Sequence, residues 1–229
     1  MCGRYTVRTN VRKLAEKFKA ELSEAARDAL LPRFNVTPTT PVPVVTVASA
    51  TRQLTMMRWG LVPHWAKDQS AGVQLINARG DTVAEKCAFK DAFKRRRCLM
   101  VADGFYEWRT LGREKLPSFF RMADDEPFAF AAMWDRWQAD GHTIDTCALI
   151  TTDANELVAT VHDRMPVIID PIHYDRWMDP ANTTGEGLAA LLRPHPADGM
   201  MADAVSSYVS KAGNEGPKCI EPAEDGALF

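Results

Sequence analysis

Proline and glycine cut this chain into short apolar runs, and that punctuation limits its fold more than any other feature. Runs at 42–47, 53–59, 99–102, 105–108, 118–122, 128–134, 146–151 and 166–169 have the length and residue types of strands. The segment from Pro32 to Pro43, rich in proline and threonine, predicts an extended loop. Asp103-Gly104, between two of the runs, is a dipeptide favoured in tight turns. Helical spacing runs over 10–30, with Val11, Leu14, Ala15, Phe18 and Leu22 apolar and Asn10 as N-cap. Further helices are expected near 82–94, 153–160, 171–178, 185–192 and 199–204. Strands and helices do not alternate as regular βαβ units. The expected fold is therefore α+β: a single domain, residues 1–229, on a curved, largely antiparallel sheet flanked by helices.

A chain of 229 residues can bury a substantial core without disulfides or metals. Its five cysteines (2, 87, 98, 147, 219) are odd in number, irregularly spaced and contain no Cys-x-x-Cys pair. The five histidines are equally scattered. Reduced thiols are expected, with no structural metal and no cofactor. The N-terminus runs from Met-Cys-Gly-Arg-Tyr straight into a charged helical pattern, with no apolar leader. No apolar run reaches the roughly 18 residues of a membrane span, so a cytoplasmic location is expected. Net charge is −2, but residues 1–120 hold 21 Lys/Arg against 11 Asp/Glu, and the remainder hold 7 against 19. That asymmetry fits a basic face able to meet phosphate, and equally a solvated surface whose charges intermix on folding.

Cys2 carries the most distinctive chemistry. Removal of Met1 would leave it with a free α-amine, whose pKa of about 7.7–8.0 keeps much of it neutral near pH 7. Such an amine attacks an aldehyde to give a Schiff base. The neighbouring thiol can then close on the imine carbon to form a thiazolidine. Gly3 permits close backbone approach to a ligand, and Arg4 can bind phosphate. Four other segments set polar groups among apolar ones: Leu75 to Arg79, Ala102 to Trp108, Val161 to Pro166 and Trp59 to Trp65. Glu107 among aromatics should have a raised pKa suited to proton transfer. Each also has a purely structural explanation: Asn77 to Arg79 can cap a strand, Glu107 can pair with Arg109, and His162 can end a helix.

Taken in order, these segments resemble one family. Cys2-Gly3-Arg4-Tyr5, Asn35-Val36-Thr37-Pro38, Trp59 through Asp68, Asn77-Ala78-Arg79, Arg97-Cys98-Leu99 through Trp108, His162 through Pro166, Val205-Ser206 and Asn214 through Pro217 are similar to the SOS-response-associated peptidase (SRAP) family. Two positions depart from its pattern. Gly80-Asp81-Thr82 has a shorter carboxylate than the usual Glu-Thr, and Thr37 stands where alanine is common.

The resemblance implies an α+β domain with a barrel-like sheet core, acting on single-stranded DNA that contains abasic sites. It implies that Cys2 crosslinks to the ring-opened sugar, with Asn77, Glu107 and His162 around it. Autoproteolytic removal of Met1 (a hydrolase activity) and a lyase activity belong to the same picture. Within it, His162 assists ring opening, Glu107 deprotonates the amine or helps dehydrate the carbinolamine, and Asn77 fixes geometry. The division between Glu107 and His162 stays open. Arg4, Arg79 and Arg164 are candidate phosphate clamps, and Trp65 and Phe93 candidate base platforms. Asn35 and Pro38 complete the expected DNA-binding set. A monomer is expected, associated with the nucleoid when bound to DNA. Two other readings remain: a thiol peptidase acting on other peptides, and a non-covalent reader of modified or single-stranded DNA.

Overall fold

The computed structural model describes residues 2–28 and 32–223; Met1 and the end of the expected helical stretch, residues 29–30, lie outside them. In chain order the elements are β1 (Arg4–Val7), α1 (Val11–Phe18), β2 (Glu21–Leu22), α2 (Glu24–Arg27), β3 (Arg33–Val36), β4 (Pro41–Ala48), β5 (Thr51–Trp59) and β6 (Asn77–Arg79). There follow α3 (Lys90–Arg95), β7 (Arg97–Ala102), β8 (Gly104–Leu111), β9 (Glu114–Met122) and β10 (Phe128–Ala139). The last are β11 (His142–Asp153), β12 (Arg164–Pro166), α4 (Tyr174–Met178) and β13 (Met200–Ala204).

Five strands close a barrel in the order β5-β4-β7-β10-β11. Its neighbours are antiparallel except at the closure, where β11 meets β5 in parallel through Thr146↔Arg58 and Cys147↔Trp59. Past the closure β11 changes partners. It takes β6 in parallel, with Leu149 opposite Asn77, and β12 antiparallel, with Asp153 opposite Arg164. A second, antiparallel sheet has the order β13-β9-β8-β1-β3. The two sheets share a core: Tyr5 sets its ring edge-on to Trp59 and Phe130 at 5.4 and 5.8 Å, and Phe105 meets Phe130 at 6.1 Å. Aromatic pairs in this geometry add to plain area burial. The barrel-like, largely antiparallel α+β expectation holds.

Local expectations met tertiary competition in several places. Asn10 caps α1 as expected, its side chain accepting from Lys13 N at 3.0 Å. The helix stops at Phe18, however, and β2 then joins the edge of β5. Asp103-Gly104 forms no hairpin, because β7 and β8 belong to different sheets. Buried Asp103 instead accepts from Thr6 Oγ1 at 2.6 Å and Thr9 N at 2.9 Å, pinning the crossing to the end of β1. A Cβ on Gly104 would lie 2.3 Å from the Phe119 ring, so only glycine fits. The tight Asp-Gly hairpin is Asp140-Gly141, with φ of 52° and 77°, joining β10 to β11.

The expected helix at 199–204 is the strand β13, because pairing with β9 outweighs the helix-favouring Met-Met-Ala. Of 82–94 only the part from Lys90, in α3, is helical, whereas 171–178 is helical throughout, as a 3₁₀ turn at Pro171–His173 running into α4. The stretches 153–160 and 185–192 shrink to 3₁₀ turns at Val158–Thr160 and Ala189–Leu191. Among the described residues no helix is long and apolar enough to cross a membrane.

Candidate active site

Cys2 enters β1 fully buried. Its Sγ–H donates to Arg4 O at 3.6 Å, and its carbonyl accepts from Asn77 Nδ2 at 2.8 Å. The parallel pairing of β6 with β11 thus decides where the Asn77 amide reaches. Glu107 lies on β8, next to β1; continuing the register Arg4↔Tyr106 by one step sets Gly3 across from Glu107. Burial pushes the Glu107 carboxyl up to about 7, against the opposing positive charge of the chain terminus. Burial, and then the charge of Glu107, push the Cys2 thiol well up. At neutral pH Cys2 is therefore a thiol, and Glu107 is poised between its two forms.

His162 follows the 3₁₀ turn Val158–Thr160 and leads into β12. Its Nδ1 accepts the Arg164 backbone N–H at 3.0 Å, while Asp163 Oδ1 lies 3.0 Å from the same nitrogen. One nitrogen cannot both accept from the amide and donate to the carboxylate. Burial lowers the imidazole pKa, which favours the neutral ring with Nδ1 accepting and the proton on Nε2.

Glu107 and His162 line one cleft of about 480 Å³ together with Gly3, Arg4, Trp108, Thr110, Lys115 and Ser210. A larger, open groove of about 1120 Å³ between α1 and α4 contains none of the four expected catalytic residues. The smaller cleft is the candidate site because it holds proton-transfer groups beside Cys2. Among the described residues no group of His, Cys, Asp and Glu is arranged to hold a metal ion.

The expected DNA-binding residues divide. Arg4 reaches the cleft, its guanidinium 5.8 Å from the Trp108 ring centre. Arg79 is exposed and paired with Asp81 at 2.6 Å, so the shortened carboxylate has a guanidinium partner. Trp65 is 54% exposed, on a loop held by Asp135 through His64 N and by Trp137 through Ala66 O. Pro38 is half-buried in the turn before β4.

Three of the expected DNA-binding residues are buried. Phe93 is 4% exposed and packs on Trp177, so its ring is core and offers no face to a base. Asn35 is 2% exposed; its Nδ2 donates to the carbonyls of Val209, Lys211 and Asn214, and its Oδ1 accepts from Arg4. It ties the C-terminal segment to β1 rather than facing a ligand. Arg164 is 8% exposed and commits its guanidinium to Asp153 at 2.5 Å and Thr151 O at 2.8 Å. Its role here is to hold the turn that carries His162.

Sequence reasoning assigned no role to Trp108, Thr110, Lys115 or Ser210. The first three could have been found from the two-residue turn Gly112-Arg113, because Leu111 pairs with Glu114 and hence Thr110 with Lys115. Ser210 had no local signal, since a 3₁₀ turn about a hundred residues away in sequence brings it to Trp108 Nε1 at 3.0 Å.

A family model described as SOS response associated peptidase (SRAP) matches residues 1–212. The chain is 37% identical over 225 residues to the abasic site processing protein YoqW of Bacillus subtilis, covering 96% of this chain and 99% of that one. Against the abasic site processing protein HMCES of Gallus gallus it is 33% identical over 203 residues, covering 78% of this chain and 60% of the other. A solved structure from Bacteroides thetaiotaomicron is similar with a TM-score of 0.87 at 26% identity, covering 97% of this chain and 100% of its own. With a family match over residues 1–212 and a relative 37% identical along nearly the full length of both chains, the chain belongs to the SOS response associated peptidase (SRAP) family.

Proposed function

We propose that this protein recognises abasic sites in single-stranded DNA and captures the ring-opened sugar on Cys2. The observation that carries the reading is that Glu107 and His162 line one cleft with Gly3, next to buried Cys2, whose thiol feels the Glu107 charge and whose carbonyl accepts from Asn77. Similarity to proteins named for abasic site processing points the same way. The acting unit is taken as one monomeric domain, residues 1–229, in the cytoplasm and on the nucleoid when bound.

The chemistry begins with removal of Met1, by hydrolysis of its peptide bond, which frees the Cys2 amine. His162 Nε2–H hydrogen-bonds the sugar's ring oxygen as the hemiacetal opens to the aldehyde, and the proton given up by the anomeric hydroxyl ends on that ring oxygen. Glu107, poised near pH 7, takes a proton from the amine and returns one to the carbinolamine hydroxyl, which leaves as water. The Cys2 thiol adds across the resulting imine, sulfur to carbon and proton to nitrogen, closing a thiazolidine. The net change is loss of one water. Asn77 holds the Cys2 carbonyl so that amine and thiol face the same carbon.

The raised thiol pKa separates this reading from peptidase activity on other chains. A cysteine peptidase needs a thiolate, and burial beside a carboxylate opposes one. Addition of a thiol to an activated imine does not start from a free thiolate. The test is incubation of purified protein with an abasic oligonucleotide, followed by a denaturing gel. The expected result is a heat-stable shifted band that Cys2→Ala abolishes. No band from protein whose intact mass shows Met1 removed would overturn the reading.

A further inference from the structure

We propose that Lys115, with the Thr110 hydroxyl beside it, forms a phosphodiester subsite for the strand flanking the reacting sugar. The inference rests on the abasic-DNA reading above and adds the group that would hold the backbone next to it. Three features of the β8–β9 hairpin support it.

The first is the face. Residues directly opposite in an antiparallel pair point to the same side of the sheet. The pairs Tyr106↔Phe119, Trp108↔Pro117 and Thr110↔Lys115 therefore form one row. Val205, Val209 and Cys219 pack with Tyr106 and Phe119, covering the inner end of that row. Thr110 and Lys115, at its outer end, are exposed and line the cleft.

The second is charge. The cleft's cations are Arg4 and Lys115 and its one carboxylate is Glu107. Arg4 is already engaged by Asn35 Oδ1 at 2.9 Å, Val209 O at 2.7 Å and Ser210 O at 3.3 Å. Among the described residues no hydrogen bond or ion pair engages the Lys115 ammonium. Its ammonium is the cleft's uncommitted cation, and a phosphodiester is the anion that a DNA backbone would bring.

The third is reach. Thr110 lies three residues beyond Glu107 on β8, a rise of roughly 10 Å along the backbone; the two side chains leave opposite faces of the strand, and both line the cleft with Gly3 at the strand's edge. That separation suits a backbone phosphate beside a sugar at Glu107. A contact of this kind positions the strand without reading bases.

The experiment compares wild type, Lys115→Gln and Lys115→Arg, measuring affinity for an undamaged single-stranded oligonucleotide against salt, and adduct formation with its abasic counterpart. Loss of one phosphate contact should reduce the slope of log affinity against log salt by about 0.7 in Lys115→Gln. Between about 50 and 200 mM salt, wild type should then lose roughly 2.6-fold more affinity than that variant. Lys115→Arg should keep the wild-type slope, and a single methylphosphonate beside the abasic position should erase the difference between wild type and Lys115→Gln. Equal slopes for wild type and Lys115→Gln, with adduct formation intact, would overturn the subsite and leave the crosslinking reading standing. Absence of adduct from wild type with Met1 removed would overturn both.

Discussion

Cys147 and Cys2 are both thiols without exposed surface, and burial raises the pKa of each, yet their surroundings differ in kind. Cys147 lies where β11 closes the barrel on β5, its Sγ–H donating to Arg58 O at 3.7 Å. Burial is the sole cause of its shift. Cys2 lies at the seam between barrel and second sheet, where an amide, a carboxyl and an imidazole arrive from β6, β8 and the turn before β12. Depth alone makes a thiol inert. What distinguishes the seam is that strand edges end there, so polar side chains from several segments converge without interrupting a packed sheet.

The sharpest test of that contrast exchanges the two thiols. Cys2→Ala should abolish the heat-stable DNA adduct entirely, whereas Cys147→Ala should leave it and lower stability by about 1 kcal/mol. Loss of the adduct in a folded Cys147→Ala would erase the distinction between barrel and seam.

Glu107→Gln should slow adduct formation by about 10²–10⁴-fold and remove the inflection near pH 7 from the pH–rate profile. The same carboxyl makes a stability prediction. Its folded pKa of about 7 lies above its ordinary 4.5, so the contribution of its protonated form is complete below 4.5 and lost as pH rises through 7. Melts of Glu107→Gln and wild type should approach each other near pH 4 and favour the variant by up to roughly 3 kcal/mol at pH 8. Parallel curves across that range would mean that burial is not what tunes Glu107.

On the barrel side, Phe93→Ala should cost about 3–5 kcal/mol in denaturant melts while leaving affinity for single-stranded DNA unchanged. A selective loss of DNA affinity would return Phe93 to the role of base platform. The smallest effect is expected at Asn77. Replacing it with alanine should slow the adduct by up to about 100-fold through misplacement of Cys2, and cost about 1 kcal/mol of stability. A rate unchanged within error would show that the bond to the Cys2 carbonyl is structural only.

The two Asp-Gly dipeptides show why part of the fold was legible and part was not. Asp140-Gly141 joins strands that pair with each other, and positive φ at both residues makes the tight turn. Asp103-Gly104 has the same letters but joins strands of different sheets, and its aspartate binds the end of β1 instead. Local chemistry permits both outcomes, and the choice lies in which strands are neighbours. The strand runs of β4, β5, β7 and β10 were readable because apolar, β-branched and aromatic residues cluster between turn signals. The helix–strand errors fell on short stretches such as 199–204, where a neighbouring edge decides.

The site divides along the same line. By itself the sequence determined which chemistry is available: a cysteine at position 2, a carboxyl among aromatics, and an ordered set of motifs that names the family. Those are properties of residue types and their order, and they survive unfolding. Only the tertiary structure decided which side chains face the cleft. Arg164 stands two residues from His162, and Asn35 opens a motif of its own, yet they and Phe93 are held inside by packing and carbonyl partners. Lys115 and Ser210 carry no motif, yet strand register and a distant turn bring them to the opening. Exposure and proximity depend on long-range pairing, which no local window of sequence contains.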